Sequence, residues 1–548
     1  EILRCLVGSE MCIRDRFGYA GTTAGMILGE SAYYLSIGLF LLFLAGFIVW
    51  LVCLSRYFHR RSLTISASFP FWKRGVVVLV GACLIGLCIF GIRGRTGYNP
   101  IKVSAAYFCQ DAFLNQLGVS PTFNLLTSVM DDMRPENKYL HLMDEQEAIT
   151  KAQALLNRQG EVAVSPLAVY RHASKADSVQ QGRPNVVLIM MESMSSKLMK
   201  HFGQSETLTP FLDSLYTRSI SFRNFYSAGI HTNHGLYATL YSFPAMMKRN
   251  LMKGSVIPRY SGLPTVLKEN GYYNLFFMTH EGQYDNMNAF FRTNGYDEVF
   301  SQENYPADKV VNSFGVQDDF LYDYAIPVLN QRAATGEPFF ATLLSISNHP
   351  PYVIPPFFHP KTSEPETQIV EYADWALRKF FEEARKQLWF DNTIFVLEGD
   401  HGKLVGDAEC ELPESYNHIP LMIYSSCIHP EEKNTFGGQV DIQPTILGLL
   451  NIDYLQNNFG VDLLKEERPC MFYTADNMIV GRNDTLLYLY NYETQQEFTY
   501  HIDNGKLKAV PMDDRFLPLK EYSFSMLQSA EFLVKHGKTV NSVPFTQQ

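Results

Sequence analysis

EYADWALRKFFEEARKQLWFDNTIFVLEGDHG, residues 371–402, holds the architecture in miniature. Tyr372, Ala376, Phe380, Ala384 and Leu388 recur at steps of four, which marks one apolar face of a helix. NTIFVLEGDHG then reads as a buried strand with polar residues at its carboxyl end. The same alternation extends in both directions. NVVLIMMES (185–193) opens the series, LPTVLKEN (263–270) precedes YYNLFFMTH (272–280), and a helix up to Leu329 precedes PFFATLLSIS (338–347). IPLMIYSS (419–426) precedes VDIQPTILGLL (440–450), where Asp441 is placed to cap a helix. Helix and buried strand in alternation predict an α/β fold with a doubly wound, largely parallel sheet. After about Cys470, MFYTADNMIVGRNDTLLYLYNYETQQEFTYHI alternates with turn residues and predicts a small C-terminal antiparallel sheet.

Upstream the texture differs. Residues 96–182 are polar and helix-leaning, with FLNQLGVSPTFNLLTSV and DEQEAITKAQALLNRQG, and they end in the unpatterned ASKADSVQQGR, so a helical linker is expected there. From Ser31 to Ser55 no charge interrupts a run that includes LFLLFLAGFIVWLVCL, and GVVVLVGACLIGLCIFGI fills 75–92. Each is long enough to cross a bilayer core, so 17–95 is expected to be a transmembrane region lacking its native start. Arg56, Arg60, Arg61, Lys73 and Arg74 lie between the spans, against Arg93, Arg95 and Lys102 after the second. The excess of positive charge puts the intervening loop in the cytoplasm and the remainder outside it, in a multi-pass protein of the cytoplasmic membrane. Residues 1–16, EILRCLVGSEMCIRDR, have no structural period and no initiator Met; they read as translated adapter sequence and are set aside. The expected division is therefore 1–16, 17–95, 96–182, a catalytic domain at 183–469 and a small antiparallel subdomain at 470–548.

With 46 Lys and Arg against 56 Asp and Glu, the net charge of −10 disfavours a nucleic-acid-binding surface. A hydrophobic content of 46% with 19% charged residues is ample for buried cores in a chain of 548 residues and more than one domain. Nine cysteines are scattered without metal-type spacing and make no disulfide scaffold.

In an open α/β sheet, ligands collect beyond the carboxyl ends of the strands. Those ends deliver Glu192 and Ser193, His280, Asn348 and His349, and Asp400 and His401. Oxygen and imidazole donors without a thiolate suit one divalent cation, with manganese, magnesium and zinc all compatible. In SAGIHTNHGLYATLYSFP, Thr232 follows the turn at Ala228-Gly229 and opens a helix, where developing negative charge is stabilised. Thr232 reads either as an ordinary N-cap or as a nucleophile activated by the cation.

These residues resemble the lipoteichoic acid synthase type of membrane phosphotransferase, within the alkaline phosphatase and sulfatase superfamily. The likeness rests on NVVLIMMES, the Thr232 turn, SNHPPY (347–352), EGDHG (398–402), NHIPLMIY (417–424), VDIQPTILGLL and FGVDLL (459–464). It implies a cation, manganese first, held by Glu192, Thr232, Asp400 and His401. Thr232 would be the covalent nucleophile and His349 would bind the substrate phosphate. In NMNAFFRTNGYD (286–297), Phe291 and Arg292 would meet the glycerol-phosphate, with His280 nearby, although Phe291 stands where the pattern has Trp. The implied reaction moves phosphoglycerol from phosphatidylglycerol to an envelope glycan or lipid acceptor. A phosphoethanolamine transferase is the alternative within the class, and a sulfatase-type hydrolase or a silent binding module are more distant ones. His418 is open to two readings, a second metal ligand or a structural histidine.

Overall fold

A computed structural model describes residues 34–65, 70–96, 100–109, 112–134, 138–158, 161–172, 183–254, 257–503 and 505–541. Residues 1–16, the start of the first apolar run and the unpatterned 173–182 lie outside them. The chain divides into two compact units, residues 1–103 with 125–132, and residues 104–124 with 133–548.

The first unit carries α1 (Tyr34–Ile65) and α2 (Phe71–Arg93). Both contain stretches long and apolar enough to cross a membrane, Leu42–Arg60 and Gly75–Arg93. Helix α1 continues ten residues past Ser55, where the uncharged run ends. Arg56 and Arg60 limit the apolar stretch but are good helix formers, so charge stops the span and not the helix. Pro70 in extended conformation precedes α2, and Gly94 ends it at φ 74°.

Short helices α3 (Ala112–Leu117) and α4 (Pro121–Asp132) lead to α5 (Glu145–Leu156), whose N-cap Asp144 accepts from the amides of Gln146 and Glu147. The stretch expected to be a linker is in good part built into the second unit. Ala148, Ile149, Ala152 and Leu156 are buried, and strand β1 (Val169–Arg171) pairs antiparallel with β10 (Tyr454–Gln456). Arg171 is buried there between Glu161 at 2.9 Å, Gln456 at 3.2 Å and the Leu156 carbonyl at 2.7 Å. A polar surface helix and a three-residue strand carry too little pattern to reveal such docking in sequence.

The central sheet has eight strands: β2 (Asn185–Met191), β3 (Ile220–Tyr226), β4 (Tyr273–Met278), β5 (Glu298–Phe300), β6 (Phe339–Leu344), β7 (Thr393–Gly399), β8 (Leu421–Tyr424) and β9 (Glu431–Gly438). Their order is β5-β4-β6-β2-β7-β8-β3-β9. Every pairing is parallel except the two made by β8, which runs against both β7 and β3. Val187, Ile189 and Met191 of β2 pack into a core with α6 (Pro210–Tyr216), α10 (Asp318–Ala333) and α11 (Pro365–Ala384). Val186, Leu188 and Met190 alternate to the opposite face and are equally buried, which is why β2 reads as an unbroken apolar run. Between these helices in chain order lie α7 (Thr232–Tyr241), α8 (Leu263–Glu269) and α9 (Met287–Thr293), and α12 (Ile442–Leu449) follows the sheet. Asp441 does not cap α12. Its buried carboxylate pairs with Arg468 and accepts from the Val461 and Gly438 amides. A buried arginine 27 residues away outbids the local helix end.

The C-terminal sheet is an antiparallel meander of β11 (Met471–Thr474), β12 (Met478–Arg482), β13 (Leu486–Asn491), β14 (Gln496–Asp503) and β15 (Lys506–Ala509). A long helix absent from the sequence expectation, α13 (Leu517–Lys535), packs on β11 and β12 and against α5. Seven cysteines fall among the described residues, and none of them forms a disulfide.

Candidate active site

Strands β2 and β7 are neighbours, so their carboxyl ends deliver Glu192 and Asp400 side by side. The Asp400 amide donates to the Met191 carbonyl at 3.0 Å and continues the pairing one step beyond the strands. Ser193 then turns the chain at φ 50°, a left-handed conformation that costs a non-glycine residue about 1 kcal/mol or more. Its amide donates to Asp400 Oδ1 at 2.8 Å, its hydroxyl to Glu192 Oε1 at 2.7 Å, and Asn348 Nδ2 donates to its carbonyl at 3.1 Å. His401 donates its own amide to Asp400 Oδ1 at 2.7 Å and sets Nδ1 2.7 Å from the Gly402 carbonyl. With Nδ1 carrying the proton, Nε2 keeps its lone pair and faces Glu192 Oε1 at 3.8 Å and Asp400 Oδ2 at 3.6 Å.

Thr232 is the first residue of α7, and its Oγ1 lies 3.4 Å from Glu192 Oε2. The helix approaches the strand end so closely that a Cβ on Gly235 would stand 2.3 Å from the Asp400 carbonyl oxygen. Gln439 braces the junction: Nε2 donates to that carbonyl at 2.7 Å, and Oε1 accepts from the Ala228 amide at 2.9 Å in the turn before α7. His231, just ahead of Thr232, points to Asp476 of the C-terminal sheet at 2.8 Å.

Burial, reinforced by the charge of Asp400, pushes the Glu192 carboxyl well above its ordinary range. Asp400 Oδ2 is buried without a hydrogen-bond partner. Two buried carboxylates with an orphaned oxygen call for a positive charge between them. One ligand atom from each of Glu192, Asp400 and His401 lies within 4.8 Å of the others, and Thr232 Oγ1 adjoins Glu192. The donor set therefore fits one divalent cation of the manganese, magnesium or zinc kind.

The other sequence candidates fall into two groups. His349 and His280 are joined through an aromatic chain, with His349 at the end that feels His401 and Asp400. The His280 ring is 4.6 Å from Tyr284, Tyr284 is 6.2 Å from Phe314, and Phe314 is 4.1 Å from His349. Burial holds His280 neutral, down to about 4, and lowers His349 as well, the latter also feeling His401 and Asp400. Phe291 and Arg292 are not brought there. Phe291 is fully buried, stacked on Phe276 at 4.1 Å and edge-on to Tyr296, because the inward face of α9 closes the core over β4. The Arg292 guanidinium bonds Asn288 Oδ1 at 2.8 Å and reaches the Val299 carbonyl at 3.5 Å. Its charged neighbour is Glu298. His418 is wedged between Phe202 and Tyr226 with Nε2 2.8 Å from the Arg223 carbonyl, which makes it structural.

Three residues at the site escaped the sequence reading in these roles. Asn348 ties the Ser193 turn, Tyr284 feels the charge of Glu192, and Lys403 donates to Asn348 Oδ1 at 2.6 Å. Burial lowers the Lys403 ammonium to about 8, against the pull of Glu366 and Glu192. Its position directly behind Asp400-His401-Gly402 was the available signal.

A largely parallel sheet thus brings a carboxylate, an Asp-His pair and a helix-initial hydroxyl together at its carboxyl edge. Residues 184–452 match the sulfatase family and form a sulfatase-family domain within the alkaline phosphatase superfamily. Lipoteichoic acid synthase 1 of Bacillus subtilis is 25% identical over 354 residues, covering 59% of this chain and 54% of that protein. Lipoteichoic acid synthase 2 of the same organism is 24% identical over 315 residues, covering 52% and 47%. The chain spans about half the length of the curated relatives it matches. A crystal structure of an alkaline phosphatase superfamily protein from Vibrio parahaemolyticus superposes with a TM-score of 0.63 at 26% identity, covering 74% of this chain and 98% of that one. The lipoteichoic acid synthase LtaP from Listeria monocytogenes shares the fold with a TM-score of 0.59 at 20% identity, covering 71% and 98%.

Proposed function

We propose that this chain is a divalent-cation-dependent phosphotransferase that moves phosphoglycerol from phosphatidylglycerol to a hydroxyl of an envelope glycan or lipid. The observation that carries the reading is Thr232 Oγ1 at the start of α7, 3.4 Å from Oε2 of Glu192, which itself clusters with Asp400 and His401. The names of the relatives supply the substrate class. Glu192, Asp400, His401 and Thr232 would hold the cation, manganese by preference. Bound there, it supplies Lewis acidity and lowers the pKa of the threonine hydroxyl.

The Thr232 hydroxyl directs its proton toward Glu192 Oε2, and its oxygen attacks the phosphorus of the donor. The bond from phosphorus to the diacylglycerol oxygen breaks, that oxygen takes the proton Thr232 gave up so that diacylglycerol leaves as the alcohol, and glycerol-phosphate stays on Thr232. The acceptor hydroxyl then attacks the same phosphorus, the bond from phosphorus to Thr232 Oγ1 breaks, and the acceptor's proton passes by way of Glu192 to Oγ1, which restores Thr232. The start of α7 faces the charge that develops on the phosphoryl oxygens, and His349 orients the entering or leaving oxygen. A lipid donor is met at the membrane, in keeping with α1 and α2. In this reading the protein is multi-pass in the cytoplasmic membrane with the catalytic unit outside, following the charge bias around the spans.

Intact-mass analysis of the full chain with Mn²⁺, offered phosphatidylglycerol or phosphatidylethanolamine, tests the reading. A glycerol-phosphate adduct on the wild type and none on Thr232→Ala is expected. An ethanolamine-phosphate adduct would keep the mechanism and change the donor. Lipid turnover unaffected by Thr232→Ala would overturn the covalent route.

A further inference from the structure

A side-chain cation near the transferring oxygens helps stabilise phosphoryl transfer, and the residue expected in sequence to supply it, Arg292, is committed to Asn288 and the β5 backbone. The geometry points to Lys403 in its place, as the side chain that binds the phosphate of the donor on the Asn348 side of the Glu192 cluster. Asn348 is the link. Its Nδ2 donates to the carbonyls of Glu192 at 3.2 Å and Ser193 at 3.1 Å, which fixes the amide and turns Oδ1 outward to receive Lys403 Nζ at 2.6 Å. The ammonium is thus held one side chain away from the turn that carries Glu192. Its only other close partner among the described residues is the Tyr352 ring, 5.4 Å from Nζ. An ammonium has three N–H donors, and one is used. Two are left for oxygen acceptors, beside a carboxylate cluster that provides no anion for Lys403 within ion-pair distance.

A purely structural lysine would be expected to spend its charge on a carboxylate, as Lys197 does on Glu409 and Lys253 on Asp285. Lys403 instead sits on a neutral amide whose other end is anchored at the site. This inference rests on the phosphotransferase reading, and its test separates the two. Binding of inorganic phosphate and glycerol 1-phosphate to the full chain in detergent with Mn²⁺ is measured by calorimetry for wild type, Lys403→Gln, Lys403→Arg and Arg292→Gln, with bound metal quantified in each. Lys403→Gln is expected to weaken phosphate binding by about 10- to 100-fold at unchanged metal content, the scale of a hydrogen bond to a charged group. Lys403→Arg should recover much of it, and Arg292→Gln should bind as wild type. Wild-type affinity in Lys403→Gln, a loss confined to Arg292→Gln, or no phosphate binding by the metal-loaded wild type would each overturn the assignment. A phosphate defect in Lys403→Gln with no Thr232 adduct from any lipid in the wild type would leave Lys403 in place and remove the transfer reaction.

Discussion

Arg482, on β12 of the C-terminal sheet, donates through Nη1 to Glu414 in the turn that contacts the Asp400-His401-Gly402 segment. The same Glu414 oxygen accepts from Tyr226 of β3 at 3.0 Å, and the guanidinium lies over the Tyr226 ring at 4.9 Å. From Glu414 the turn runs into contact with both halves of the site. The Gly402 amide donates to Tyr416 O at 2.8 Å, and Asn417 exchanges hydrogen bonds with Ser227 in the turn ahead of Thr232. The small sheet is therefore part of the support of the site and not an appendage.

Burial raises the Glu414 carboxyl, but Arg482, His418 and Tyr226 outweigh it and hold it down at about 2. A carboxyl depressed in the fold contributes stability that is complete above its ordinary 4.5 and is lost as pH falls from there toward 2. Arg482→Gln should cost about 3 kcal/mol at neutral pH, since it leaves a largely buried carboxylate unpaired, and should move the acid unfolding limb to higher pH. Denaturant titrations between pH 2 and 7 read both effects. An acid limb that coincides with that of wild type would refute the pairing as a stabilising element.

Gly235 should tolerate no side chain. Its added Cβ would stand 2.3 Å from a backbone oxygen and 2.9 Å from Gln439 Nε2, neither of them a free-swinging chain end. Gly235→Ala should destabilise by about 1 to 3 kcal/mol through overpacking. By displacing Thr232 from Asp400 it should also lower the rate of Thr232 adduct formation by about 100-fold. Rapid-quench mass analysis beside a melting curve would show whether the two effects arise together, and full activity would mean that α7 has room to shift.

The alternation of helix and buried strand was legible because β2, β6 and β7 are covered on both faces and admit almost no polar residue. The metal-type cluster was legible for a related reason: Glu192, Asp400 and His401 each terminate such a run, so their places follow from the strands alone. The reversed direction of β8 was not, since LMIY presents the same apolar run whichever way it points. Nor was the burial of Phe291. Helix α9 has seven residues, too few for its apolar face to be phased against its polar one, and Phe290 and Phe291 both turn inward. Lys403 was hidden by distance, because its partner Asn348 lies 55 residues away on another strand end.

Two buried carboxylates and an orphaned oxygen make the site costly to leave uncompensated. Removal of divalent cations should lower the melting temperature, and Mn²⁺ at a hundred times its Kd should restore about 2.7 kcal/mol. Asp400→Asn removes one of the two charges, so it should abolish the Mn²⁺-dependent shift while melting no lower than wild type does with chelator. A wild-type melting curve indifferent to Mn²⁺, Mg²⁺ and Zn²⁺ alike would argue against a cation at this cluster.

Phe291 and Arg292 are neighbours in sequence with separate roles in the fold, and substitution should divide them. Phe291→Ala removes a ring stacked 4.1 Å from Phe276 in the core and should cost about 3 to 5 kcal/mol. Phe291→Leu should cost less, and neither should change KM for the lipid donor once assayed below its melting range. Arg292→Gln gives up hydrogen bonds to Asn288 and a β5 carbonyl, away from the Glu192 cluster, so its turnover should stay within about twofold of wild type. Steady-state kinetics beside thermal melts decide the matter. A raised KM in Phe291→Leu at unchanged stability would return the aromatic to the substrate, and would require α9 to open when the donor binds.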